Sequence, residues 1–249
     1  MRLLFHELRG EQKLYWRSRE LAFFTFLLPI VIFLLLGSVY GEDTIAGVKG
    51  SRYLLAGMLG YGVVATTFAG LSIVLVIRRE DGILKRLRAT PLPAWAYIGG
   101  VLLSTLLVFA IEAAALILLA RIAFHVPFPD HVFSLVLALL LSAFAFAALG
   151  LAVTSIVHSA EGSSAAINAI FLPMLFICGA FFSPHSFPQF LRAIADVLPL
   201  TYVIRLVRDI SLHGQEIWSR PGSVGVIAAW GAVGVVAAIR GFRWEPHQD

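Results

Sequence analysis

Charge is what this sequence lacks most. Only 14% of its 249 residues are Asp, Glu, Lys or Arg, against about 25% in soluble globular chains, too few to clothe a water-facing surface. A single cysteine, Cys178, leaves no partner for an internal disulfide and no cysteine-rich metal site. It is expected to pack as a small apolar residue. There is no Gly-Lys dipeptide and hence no phosphate-cradling G-x-x-x-x-G-K-[ST] loop, so ATP hydrolysis by that route is excluded. The histidines lack metal spacing such as H-E-x-x-H, and no serine stands in a G-x-S-x-G context. Neither a metal site nor membrane-enzyme chemistry finds support in these patterns.

Apolar length is what the sequence has in excess. The AVILMFWYC share is 59% and the mean hydropathy +0.87. Six membrane-crossing helices need roughly 120 apolar positions, and 59% of 249 is about 147. Apolar runs at residues 21–39, 54–77, 96–123, 132–157, 164–181 and 223–239 are each read as a span, the first with Pro29 inside it. The expected fold is therefore all-α and polytopic, a single transmembrane domain over residues 1–249 with no internal repeat. Residues 1–20 are charged throughout and precede a run as long as a span, so no cleavable leader is expected there. Residues 182–222 are too polar for a full span but rich in Leu, Val, Ile and Phe. They are expected to dip into the outer leaflet as an external re-entrant segment, with Pro184, Pro188 and Pro199 breaking it into short pieces.

The net charge of +4 comes from basic residues scattered among the hydrophobic runs, which form no continuous face for nucleic acid. They report orientation instead. Twelve of the nineteen Lys and Arg residues lie in the N-terminal segment, the loop after span two and the C-terminal tail, and an excess of such residues marks the cytoplasmic side. Both termini are expected to be cytoplasmic, as is the short loop carrying Glu161. Residues 1–20 place Leu4, Leu8 and Tyr15 near one helical face, with Phe5 and Trp16 beside them. That suits a helix lying on the inner surface against membrane lipid, either as a topogenic leader alone or as a brace for a partner.

The loop at residues 78–93 is the most informative stretch. Ile83, Leu84 and Leu87 give a short helix one apolar face, Lys85, Arg86 and Arg88 stay wet, and Pro91 stops it. Two readings stand on pattern alone: a helix gripped by a partner groove, or a basic topogenic loop. Within span three, Glu112 sits among alanines and Phe109. A carboxyl at that depth faces the bundle interior or water, either bonded to a neighbouring helix or in contact with substrate or protons. Span five and its approach, from Gly162 through Ala180, are rich in the small residues that allow close helix packing.

Glu80, Gly82, Leu84, Leu87, Thr90, Pro91 and Leu92 resemble the loop between spans two and three of ABC-2 type exporter permeases, roughly E-x-G-T-L-x-x-L-x-x-T-P-L. Ile83 stands where threonine is usual. The run from Phe171 to Phe182 is similar to the family's F-L-P-x-x-F-x-S-G-A-F-F, and Leu198-Pro199-Leu200-Thr201-Tyr202 to its N-P-L-T-Y, followed by Arg208 at the L-R position. Leu198 departs from asparagine and Arg205 from a frequent aspartate. The likeness covers essentially the whole chain. It implies a permease subunit, not itself an enzyme, that moves a drug-like, lipid or lipid-linked substrate outward across a bacterial inner membrane. A separate nucleotide-binding ATPase subunit would use ATP and Mg, and a second permease copy, identical or related, would complete the pathway. The family places Glu80, Asp81, Gly82, Ile83, Leu84, Arg86, Leu87, Thr90 and Pro91 as the coupling helix on the ATPase, with Glu161 as a second contact. Asn168, Phe176, Phe181 and Phe182 become candidate lining of the path, beside Glu112. The competing class is a proton-coupled secondary transporter using Glu112.

Overall fold

The computed structural model describes residues 2–45, 47–157, 159–181 and 187–241. His158, Pro184 and the tail beyond 241, with Arg243, fall outside them, as does the candidate path residue Phe182. Among the described residues the fold is all-α apart from a short hairpin, β1 (Thr44–Ile45) against β2 (Val48–Lys49). Among the described residues, six helices are long and apolar enough to cross a membrane. These are α2 (Arg19–Tyr40), the continuous helix Gly50–Glu80, α6 (Ala94–Phe124), α7 (Val132–Val153), α8 (Ala160–Ile177) and α11 (Pro221–Gly241).

The second of these is composite: α3 (Gly50–Gly62), a π-helical stretch (Val63–Gly70) and α4 (Leu71–Glu80). Its 31 residues give a rod of about 46 Å, well beyond the roughly 30 Å hydrocarbon layer. The expected end at Ile77 is therefore three residues short, and Arg78, Arg79 and Glu80 are helical. It is also the most buried of the six, and side chains from all three of its parts enter the main core together with Phe109, Phe146 and Ile204. Spacing alone does not reveal the π stretch. Thr67 bonds its hydroxyl back to the Val63 carbonyl at 2.6 Å, while Thr66 turns its own outward to α6. Widened turns of this kind often occur where a helix does something other than pack.

Two further expected boundaries move at the same end of the bundle. Span four ends at Val153, where Thr154 and Ser155 bond their hydroxyls to Leu151 and Ala152 and the chain turns. Span five begins at Ala160, four residues early, because Ser159 caps it by accepting from the Gly162 amide at 3.2 Å, with Glu161 in the first turn. The segment after span five folds into α9 (Gln189–Val197) and α10 (Pro199–His213), each opened by a proline, followed by a 3-10 turn at Ile217–Ser219. Cys178 is a free, buried side chain in the main core.

Helix α1 (Arg2–Arg17) lies against α6. Its partly covered residues are Leu4, Glu7, Leu8, Glu11, Gln12 and Tyr15, a stripe at helical spacing. Leu4, Leu8 and Tyr15 thus share one face as expected, but two glutamates and a glutamine share it too. Gln12 donates to the Ser104 hydroxyl at 2.9 Å and to its carbonyl at 3.1 Å.

Candidate functional site

The candidate coupling segment begins where the composite helix stops. Asp81 closes α4, and Gly82 adopts φ +68°, a left-handed conformation that glycine enters without the steric cost of a Cβ. That single reversal re-aims the chain into α5 (Ile83–Arg88). The helix ends before Pro91, because the residue preceding a proline disfavours helical geometry and Thr90 bonds its hydroxyl to the Leu87 carbonyl at 2.6 Å.

The apolar face expected of this helix divides. Leu84 is fully buried in a cluster of the chain's own making, with Leu71, Leu75, Tyr97, Val101 and Leu151, and Leu87 packs at its edge. Ile83 is 39% exposed, and Asp81, Lys85, Arg86, Thr90 and Pro91 are exposed with it. Leu84 is thus spent on holding α5 to the bundle. The uncovered surface is Ile83 with its charged neighbours.

Behind α5 stand two consecutive arginines whose basic charge alone marked them as topogenic. Arg78 makes a bidentate pair with Glu11, both bonds at 2.8 Å, and donates to the Tyr97 hydroxyl at 3.1 Å, so α4, α1 and α6 meet at one guanidinium. Arg79 points the other way. It is 2% exposed and donates to the carbonyls of Thr154 and Val157, each at 2.6 Å, and to Glu80 at 2.8 Å. Those carbonyls lie at the end of α7, just before Ser159 opens α8 and presents exposed Glu161. The two candidate contact loops, around 80–91 and around 161, are therefore tied by one buried side chain. A signal existed in the sequence: Glu7 and Glu11 share the half-apolar stripe of α1 with Leu4 and Leu8, and a carboxylate on such a face needs a donor across the interface.

The candidate path residues separate into groups. Glu112 is 2% exposed and accepts from the Thr66 hydroxyl at 2.6 Å, which joins α6 to the π-helical stretch. Its other carboxyl oxygen is buried with no hydrogen-bond partner and lies over Gly62, where a Cβ would come within 2.8 Å of it. Phe176 is half exposed on α8, with its ring 5.9 Å from that of Phe181. Asn168 is half-buried on the same helix. Among residues not singled out as functional beforehand, Tyr53 carries the Arg208 guanidinium 3.6 Å above its ring. Arg208 also donates to the Gly179 carbonyl at 2.7 Å, pinning the turn that follows α8.

The family model for the ABC-2 type transporter matches residues 2–212, which takes in α1, the candidate coupling segment and all but the last span. ABC transporter G family member 20 of Dictyostelium discoideum is 25% identical over 186 residues, covering 73% of this chain and 25% of that protein. The inner membrane transport permease YhhJ of Escherichia coli is 24% identical over 170 residues, covering 67% of this chain and 45% of the permease. The chain thus spans less than half the length of these relatives. A match that runs from the first helix through α10 settles its affiliation: it is a multi-pass membrane protein belonging to the ABC-2 type transporter family.

Proposed function

We propose that this chain is the permease subunit of an ATP-driven exporter, worked by a separate nucleotide-binding ATPase that uses ATP and Mg and paired with a second permease copy. Cargo is a hydrophobic or amphipathic molecule, drug-like, lipid or lipid-linked, moved outward across a bacterial inner membrane with both termini cytoplasmic. The observation that carries this reading is α5. Leu84 anchors it in the bundle while Ile83, Lys85 and Arg86 stay uncovered at the end of a 31-residue helix. A handle fixed to a rigid rod transmits a push, whereas a loose loop absorbs it. Through Arg78 and Arg79 the same push reaches α1, α6 and the end of α7. Glu161 provides the second contact, and Glu112, Asn168, Phe176 and Phe181 border the route.

Affinity purification of the tagged chain from its native membrane tests this. An ATPase subunit should co-purify, and Ile83→Asp with Arg86→Glu should release it. A chain that exports without nucleotide, and stops when the proton gradient is collapsed, overturns the proposal. The buried, half-partnered carboxyl of Glu112 would then make it the group to examine as a proton site.

A further inference from the structure

The rotation of α1 about its own axis is fixed by side chains on its covered face. Glu11 grips Arg78 and Gln12 donates twice to Ser104. At helical spacing, Arg2, Arg9, Lys13 and Arg17 then fall nearly opposite that face, separated by seven, four and four positions. They form one stripe about 22 Å long. All four are exposed, and none makes an ion pair or hydrogen bond with another described residue. The acids of the helix lie elsewhere. Glu7 and Glu11 are partly covered on the bundle side, and Glu20 stands beyond the break at Ser18 with Arg19 beside it. A Cβ built on Gly10, next to Arg9, meets no atom within 4 Å, so neighbouring helices leave this side open.

Apolar side chains border the stripe along both edges. Phe5 and Trp16 lie on one edge and Leu3 and Leu14 on the other, and all four are exposed. The Trp16 ring stacks on Phe26 of α2, with centroids 5.7 Å apart and planes 14° from parallel. This edge is thus level with the first turns of a membrane span, where Phe23 and Phe24 also face outward. An acidic protein surface would satisfy the cations and leave the two apolar edges in water. A bilayer surface satisfies both, taking the cations among its headgroups and the apolar edges below them.

From this arrangement we infer that the side of α1 facing away from the bundle is a docking surface for anionic phospholipid headgroups of the adjoining leaflet, with Arg2, Arg9, Lys13 and Arg17 as its phosphate-binding groups. A zwitterionic head carries an ammonium beside its phosphate, which four cations in a row repel. An anionic head carries none, so a stripe without a carboxylate selects net negative charge. The inference does not depend on the transport proposal, because headgroup binding requires neither nucleotide nor an ATPase.

The purified full-length chain is reconstituted in phosphatidylcholine vesicles containing a minority of phosphatidylglycerol. Traces of either lipid bearing a headgroup-proximal diazirine are photolysed, and the adducts are mapped by mass spectrometry. At low ionic strength phosphatidylglycerol should label residues 2–17 several-fold more than an equal amount of phosphatidylcholine, and added salt should shrink that excess. The triple variant Arg9→Gln, Lys13→Gln, Arg17→Gln should bring the ratio close to one. Its Tm should stay near that of the natural chain, because the bonds to Arg78 and Ser104 are untouched. Arg121→Gln, which removes an exposed cation from the far end of α6, should leave the ratio as it was. Equal labelling by the two lipids, an excess indifferent to salt, or an excess that survives the triple substitution would each overturn the assignment. The last result, accompanied by loss of a co-purifying ATPase from the triple variant, would give the stripe to a protein partner instead.

Discussion

The Arg79 guanidinium donates to the Thr154 carbonyl across 2.6 Å and seventy-five positions of chain. It is among the largest side chains in the molecule that are fully buried. Most long cationic side chains snorkel to water; this one is held inward because α7 ends with unsatisfied carbonyls that α4 can reach. The helix end supplies partial negative charge, and the arginine supplies several donors in a planar fork.

Arg79→Ala should therefore strand two buried carbonyls and leave Glu80 without its partner. Hydrogen bonds to charged groups contribute about 1.5–3 kcal/mol each, so a loss of about 3 kcal/mol or more is expected, read as a drop of several degrees in Tm in detergent. Arg79→Lys, which can reach one carbonyl but not two in fork geometry, should fall between. An unchanged Tm for Arg79→Ala would mean that the tie between α4 and α7 carries no energy.

The six spans were legible because twenty apolar residues in a row have few alternatives in a lipid solvent. Their ends were less so. Arg78, Arg79 and Glu80 look like loop residues by charge, and only tertiary partners, Glu11 and the Thr154 and Val157 carbonyls, let the helix carry them. The short helix α5 could be located from its own residues, whereas its orientation could not. Ile83 and Leu84 are adjacent, about 100° apart around a helix, and which of them meets the bundle depends on Leu71, Leu75 and Tyr97, which the local pattern does not contain. The π-helical stretch is likewise invisible to hydropathy, and the bond that Thr66 makes from it reaches a carboxyl forty-six residues away.

The division of α5 into an anchored and a free side predicts opposite phenotypes for neighbouring residues. Leu84→Ala empties a buried site and should cost about 2–5 kcal/mol, lowering Tm and yield while leaving any assembled complex competent. Ile83→Asp changes a 39% exposed position and should leave Tm within about a degree, yet uncouple nucleotide hydrolysis from export in reconstituted vesicles. If Ile83→Asp instead unfolds the permease while Leu84→Ala merely uncouples it, the helix faces are assigned the wrong way round.

Glu112 separates packing from proton chemistry. The Thr66 hydroxyl needs an acceptor on α6, and a glutamine side-chain carbonyl serves as well as a carboxyl oxygen. Glu112→Gln should then keep Tm near that of the natural protein, and export should keep both its rate and its pH profile. Glu112→Ala removes the acceptor and opens space beside Phe109 and Gly62, so it should lose about 2 kcal/mol or more and loosen α6 from the π-helical stretch. The decisive comparison is between the two variants. A stable Glu112→Gln protein with a flattened pH profile would assign the carboxyl to proton transfer, whereas a defect confined to Glu112→Ala marks it as the bond that holds two spans in register.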